Sequence, residues 1–136
     1  MTQTEFPDTW LVPWPGTIRP SRLKGYEIEI PIAPFELPEG WVETSIRLDF
    51  VELPELGDIE ARTFPFPTSP EPGYIDGSIY LRETHNPVDI TEVEFGSWQE
   101  DEIEATLRMR ILFEFEGTGF RDRDAVLTTT LRRSDA

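Results

Sequence analysis

A thirteen-residue stretch in the second half of the chain, 103–115, alternates apolar and polar side chains almost without a break. Its apolar members are Ile103, Ala105, Leu107, Met109, Ile111, Phe113 and Phe115. Positions in phase with a period of two do not fit the helical period of about 3.6 residues, so the stretch predicts a β-strand with one face in the core. Because strands commonly run about five or six residues, we expect a bend or bulge in this one.

Five further runs alternate in the same way and are strand candidates: 28–32, 46–50, 78–83, 88–98 and 125–132. Gly117 and Gly119 separate the long strand from the last run, which is typical of an antiparallel pair. Pro31 predicts an edge position or an early end for the first run. About six or more strands without intervening helices predict one all-β domain over 1–136, either an antiparallel β-sandwich or a partly curled sheet.

Twelve of the thirteen prolines lie within the first 72 residues, and none follows Pro87. Proline lacks the N–H that a strand ladder needs, so the N-terminal half is predicted to hold short strands between irregular connections. One connection is an irregular Trp- and Pro-rich segment, 1–25, and another is a long Pro-rich loop, 54–74. Leu, Ile, Val and Phe make 37 of the 136 residues, which is enough apolar material for a core.

The chain carries 27 acidic and 12 basic residues, a formal net charge of −15 that is spread over both halves. Such a field repels nucleic-acid phosphates and anionic membranes and attracts a basic protein. Because the chain has no cysteine, disulfides, thiolate catalysis and Cys-based zinc sites are excluded. We expect no cofactor. The N-terminus resembles no secretory signal and no apolar run is long enough to span a membrane, so a cytoplasmic location is predicted.

The single histidine, His85, is the one candidate for acid–base catalysis near neutral pH. It lies in a predicted turn between strands, where Glu83 or Asp89 could orient it. A nucleophile would have to come from Ser78 or Ser97. Neither serine lies in a recognisable catalytic motif, so a hydrogen-bonded surface histidine is the favoured interpretation.

Acidic residues are dense around the end of the long strand, where Glu114 and Glu116 are predicted to share one face. Asp122 and Asp124 follow in the next turn, and oxygen ligands of this kind suit Ca²⁺. Glu116, Asp122 and Asp124 are therefore candidate metal ligands. The order of an EF-hand is missing and two arginines neutralise the turn, so surface ion pairs are the favoured interpretation.

The four tryptophans divide into two pairs. Trp41 and Trp98 are predicted to close the core, as bulky aromatics often do in small β domains. Trp10 and Trp14 fit the core and an interface equally well, because loop aromatics are favoured anchors in protein interfaces. The candidate binding residues are Trp10, Trp14, Phe64, Phe66, Glu114 and Glu116.

Three classes of function follow from these features. The first is a non-catalytic, acidic protein-binding module, for instance a bacterial immunity or inhibitor protein that neutralises a basic partner. The second is a small-molecule or carbohydrate-binding β-sandwich that uses exposed tryptophans. The third is a small hydrolase centred on His85. The sequence favours the first class, because that class needs only the charged surface that the composition dictates.

Overall fold

The computed structural model describes residues 4–134, and this range holds eight strands and three short 3-10 helices. The strands are β1 Gly16–Pro20, β2 Tyr26–Leu37, β3 Gly40–Val51, β4 Thr63–Pro65, β5 Asp76–Leu81, β6 Thr84–Gln99, β7 Glu102–Ile111 and β8 Arg123–Arg133. The 3-10 helices are Asp8–Trp10, Leu56–Asp58 and Phe113–Glu116. No helix in the described range is long and apolar enough to cross a membrane.

Seven of the strands close into a barrel in the order β1-β2-β3-β5-β6-β7-β8, and β4 pairs only with β6. Every neighbouring pair is antiparallel except β1 and β8, which run parallel over three residue pairs, Gly16–Ile18 against Leu131–Arg133. The all-β, largely antiparallel prediction is confirmed. Neither the β-sandwich nor the partly curled sheet is formed, because β8 meets β1 and leaves the main sheet without ends.

The inward-facing side chains of the seven strands fill the barrel. Along β7, Ile103, Ala105, Leu107, Met109 and Ile111 are all buried, which confirms the alternation predicted for this part of the chain. The predicted strand is too long, however. The chain turns out of the sheet at Leu112, so Phe113 enters the core from a 3-10 helix and Phe115 is 77% exposed.

One end of the barrel is closed by a cluster of aromatic rings that the N-terminal segment completes. Phe6 is stacked on Phe113 with ring centroids 4.7 Å apart and meets Phe35 and Phe120 edge-on at 5.6 and 5.1 Å. Trp10 stacks on Phe35 at 5.2 Å. Residues far apart in sequence therefore form one apolar plug, and the N-terminal segment is part of the folded domain.

The chain from that plug to β1, residues 8–15, runs beside the edge of β2 beyond β1, where Pro13 forms a bridge with Ile32, and we call it the N-terminal strap. Two backbone hydrogen bonds tie it to β2, from the Trp14 N–H to the Pro31 carbonyl at 2.8 Å and from the Ala33 N–H to the Val12 carbonyl at 2.8 Å. The segment 1–25, predicted to be irregular, thus contains a 3-10 helix, the strap and all of β1. Its residues 1–3 lie outside the described part of the chain.

The opposite end of the barrel is covered by the segment 54–74. This segment was predicted to be a loop, but it contains a 3-10 helix and β4, and it buries Leu56 and Ile59. The indole N–H of Trp98 donates to the Leu56 carbonyl at 2.9 Å, which confirms that Trp98 packs against the core. This segment is ordered because it buries apolar side chains. They do not alternate regularly along the sequence, so periodicity did not predict their burial.

The position of the two phenylalanines, Phe6 in the aromatic plug and Phe115 outside it, predicts very different effects of their substitution on stability. Phe6→Ala removes a ring that is 1% exposed and should lower the free energy of unfolding by about 3–5 kcal/mol. Phe115→Ala removes an exposed ring and should change it by less than about 0.5 kcal/mol. Urea unfolding of both variants measures the difference. Equal losses would show that Phe115 belongs to the core, as the long-strand prediction required.

Candidate functional site

His85 lies on β6, not in the turn that the sequence predicted. It is half-buried on the outer face of the barrel opposite Tyr80, and the two rings meet edge-on with centroids 5.3 Å apart. Among the described residues, no hydrogen bond or ion pair joins His85 to Glu83, Asp89, Ser78 or Ser97. Ser97 lies at the far end of the same strand.

The acidic turn after β7 is held together by hydrogen bonds from its own backbone N–H groups to its carboxylates. The Glu114 N–H donates to Asp122 Oδ1 at 2.8 Å, and the Asp122 N–H donates to Glu114 Oε2 at 3.0 Å. Asp124 instead pairs with Arg110 at 3.0 Å. Residues 4–134 contain no group of three or more acidic or histidine side chains that could hold a metal ion. Glu116 is exposed on the 3-10 helix, so it does not share a strand face with Glu114 as predicted.

Three of the aromatic binding candidates are engaged by the fold. Trp10 belongs to the barrel plug. Phe64 packs edge-on against Phe95 at 6.0 Å and lies under the Arg62 guanidinium, whose central carbon is 4.9 Å from the ring centroid. Phe66 packs partly buried against the core. Their rings are therefore largely used for packing.

A groove of about 650 Å³ with a mixed polar and apolar lining lies beside the turn between β1 and β2. It is lined by Arg19, Pro20, Ser21, Arg22, Leu23, Glu27, Asp49 and Phe50. Arg19 Nε donates to Glu27 Oε2 at 2.9 Å across its floor. Phe50 has a φ of 61°, rare for a bulky residue, at a bulge where two β3 residues face one β2 residue.

The folded protein disfavours the ionised form of Asp49, which lies at the edge of this groove. Burial raises the pKa of its carboxyl above the ordinary value of 3.8, and the nearby carboxylates of Glu27 and Asp76 raise it further. Arg47 and Arg19 oppose the shift. The groove thus contains compensating charges of both signs, and it presents no selective cluster of one chemistry.

The exposed tryptophans lie on the outer face of the strap, β2 and β3. Trp14 is 49% exposed and Trp41 is 65% exposed. The prediction that Trp41 closes the core is wrong, because its pairing with Glu36 places it on the outer face of the barrel while Val42 points inward. We call the surface formed by Trp14, Pro31, Pro34, Trp41 and Glu43 the tryptophan face.

A depression of about 420 Å³ lies within the tryptophan face. Trp14 forms one side, Pro31 and Pro34 form part of the floor, and Glu43 stands opposite on β3. Trp41 projects from the same outer face two residues from Glu43, about 7 Å along the strand. Flat aromatic rings, rigid prolines and carboxylates side by side can hold a cation, since indole rings attract cations over their faces.

Comparison with family models, curated proteins and solved structures finds no match to this chain. The residues themselves therefore carry the functional argument. Trp14, which fitted the core and an interface equally well in the sequence, is exposed, and so is Trp41, which was predicted to close the core. The exposure of Trp41 was missed because it depends on strand register. A signal was present in the alternation of Trp41 and Glu43 with Val42, which places the tryptophan and the acid on one face.

The raised pKa of Asp49 predicts how the stability of a variant at this position depends on pH. The folded protein holds the Asp49 proton more tightly than the unfolded chain, so ionisation of this carboxyl opposes folding above the raised pKa and not below 3.8. Asp49→Asn should therefore be more stable than the wild type at pH 7. The advantage should shrink as the pH falls and vanish below 3.8.

Thermal unfolding between pH 3 and pH 7 measures this difference, with Asp101→Asn in an exposed turn as the matched control. A stability gain for Asp49→Asn that is the same at every pH, or a loss at pH 7, would contradict the electrostatic account.

Proposed function

We propose that this protein is a non-catalytic, acidic protein-binding module, and that the tryptophan face is where it holds a basic partner. The observation that carries the proposal is the pairing of two exposed tryptophans with carboxylates on one outer face. Tryptophan is among the residues that contribute most of the binding energy at protein interfaces, and exposed apolar side chains grouped on one surface mark interaction sites.

The charge of the molecule supports a basic partner. The net charge of −15 produces a field that steers a cationic protein toward the surface and raises the association rate. At contact, an arginine or lysine of the partner would lie over an indole ring with Glu43 or Glu36 as its counter-ion. Long-range steering and short-range recognition would then favour the same kind of partner.

An immunity or inhibitor protein that neutralises a basic toxin in a bacterial cytoplasm is the specific form of this proposal. Such a protein needs a rigid surface and no chemistry of its own. The barrel supplies a rigid support, since β2 and β3 pair with each other over most of their length. Preorganisation of this kind lowers the entropy cost of binding.

The exposed tryptophans also favour a second candidate, a carbohydrate-binding module in which a sugar ring stacks on Trp14 or Trp41. The two candidates differ in their response to salt. A protein complex steered by charge weakens as ionic strength rises, whereas stacking of a neutral sugar does not.

Paired variants test the proposed function. The immobilised protein should capture proteins of high isoelectric point from a host lysate at low salt and release them at high salt. Trp14→Ala and Trp41→Ala should each weaken capture by about thirtyfold if both act as anchors, as expected for tryptophan anchors worth about 2 kcal/mol. Phe115→Ala is the matched control, since it removes an exposed aromatic ring elsewhere and should leave capture unchanged.

Capture that survives both tryptophan variants, or that is insensitive to salt, would contradict the proposal. Quenching of tryptophan fluorescence by a neutral glycan, unchanged by salt and lost in the same variants, would favour the carbohydrate-binding candidate instead.

A further inference from the structure

The backbone of β8 faces two different neighbours on its two edges. The register with β7 is continuous from Glu102↔Arg132 to Ile111↔Arg123, and the Arg133 N–H donates to the Asp101 carbonyl at 2.8 Å. In an antiparallel ladder every second residue exchanges hydrogen bonds with its partner strand. Leu127 and Thr129 therefore bond to β7, while the N–H and C=O groups of Val126 and Thr128 point to the opposite edge.

That opposite edge is covered over only part of its length. β1 pairs with Leu131–Arg133 and no further, and the Ser134 N–H donates to the Ile18 carbonyl at 2.9 Å. Nearer the start of β8, the contact with the N-terminal strap is made by a β8 side chain, because Thr129 Oγ1 donates to the Trp14 carbonyl at 2.9 Å. Within the described chain, no backbone hydrogen bond outside the strand ladders involves Val126 or Thr128.

A groove of about 330 Å³ occupies the space between the strap and this part of β8. Leu11 lines it from the strap, and Ala125, Val126 and Leu127 line it from β8. The ion pair between Arg123 and Asp8 lies at its end, with Nη2 and Oδ1 2.5 Å apart. An open strand edge and a groove thus lie together, and the groove is charged at the end formed by Asp8, Arg123 and Asp124.

The composition of the two walls differs from the rest of the molecule. In a chain that is 29% charged, neither 11–18 nor 125–131 contains a charged residue. Open strand edges are usually blunted by charge, proline or a bulge. The open edge of β4 follows that rule, with Pro65 in the strand and Pro67 just after it. In β8 the charged residues lie only at the two ends, and the stretch 125–131 has no charge, no proline and no bulge in its pairing with β7.

We propose that the open edge of β8 is a strand-acceptor site, which binds an extended and largely uncharged peptide segment of another protein. The segment would add one strand beside β8, exchanging backbone hydrogen bonds with Val126 and Thr128 and placing small apolar side chains against Leu11 and Leu127. Strand addition of this kind draws its affinity from main-chain hydrogen bonds and its selectivity from the pockets for alternate side chains.

The site would not take a second copy of this chain, because two molecules of net charge −15 repel each other. The proposal is independent of the tryptophan face, since none of the side chains invoked here belongs to that surface. The two sites are neighbours through Trp14, whose carbonyl meets Thr129, so one partner could reach both.

Amide hydrogen exchange measured by NMR tests whether the edge is open. In the dilute protein the amides of Val126 and Thr128 should exchange at least about a hundredfold faster than those of Leu127 and Thr129, which the ladder with β7 protects. Equal protection of all four amides would overturn the proposal. Protection of Val126 and Thr128 that rises with protein concentration would also overturn it, because a second copy would then be the occupant.

Binding is tested with a short acetylated and amidated peptide of alternating valine and threonine that ends in one lysine for solubility. The peptide should slow exchange at Val126 and Thr128 and shift resonances of β8 and the strap. Methylating the peptide nitrogens on one edge should abolish these effects, and methylating those on the other edge should preserve them. No effect at the solubility limit, or equal effects of both methylated peptides, would overturn the proposal.

A protein variant gives a matched check. Thr128→Pro removes an N–H that faces the open edge of β8 and takes no part in the ladder with β7, so it should weaken peptide binding about tenfold or more. Thr128→Val keeps that N–H while losing the same hydroxyl contact with Thr106, 2.9 Å away, and should bind like the wild type. Equal binding by the two variants, each shown to be folded by its spectrum, would count against the site.

Discussion

The parallel contact between β1 and β8 determines the architecture of this protein. Without those three residue pairs the eight strands would form one open sheet whose first and last members lie at its edges. With them, seven strands enclose a single core. Gly16 makes the contact sterically possible, since a Cβ atom there would lie 2.2 Å from the Glu29 carbonyl oxygen on β2. The backbone of β1 can therefore lie tightly against β2 while it meets β8.

The same contact explains the open edge beside it. β1 has five residues and β8 has eleven, so a parallel pairing that begins at Gly16 cannot cover all of β8. The prolines of the strap remove backbone donors where the barrel wall would otherwise continue. The strap therefore crosses the opening with few hydrogen bonds and holds Trp14 on the outer surface. It leaves the middle of β8 paired only with β7, with its other edge open. The closure of the barrel, the tryptophan face and the groove beside β8 therefore all follow from the short pairing of β1 with β8.

Sequence periodicity predicted the strands that carry most of the core. The alternation of 103–111 and 125–132 specified β7 and β8 with the correct inward faces, because burial of one sheet face imposes a period of two. It failed where the chain leaves the sheet. Phe115 continues the alternation in sequence, but the 3-10 helix after Leu112 turns its ring into solvent.

Other features depend on distant partners and could not be predicted from local patterns. Pro31 predicted an edge or an early end, yet β2 continues to Leu37, because Pro31 lies beyond the reach of β1 and its carbonyl instead accepts the Trp14 N–H. The short β1 and β4 carry too little alternation to be recognised. The exposure of Trp41 and the free edge of β8 follow from register, which only the assembled sheet specifies.

The closed barrel is tested most directly by backbone nuclear Overhauser effects between β1 and β8. In a closed barrel, contacts link the amide and α protons of Gly16–Ile18 to those of Leu131–Arg133 in a parallel pattern, alongside the antiparallel contacts of β7 and β8. If the β7–β8 contacts are present while every contact between β1 and β8 is missing, the sheet is open and the protein does not form a closed barrel.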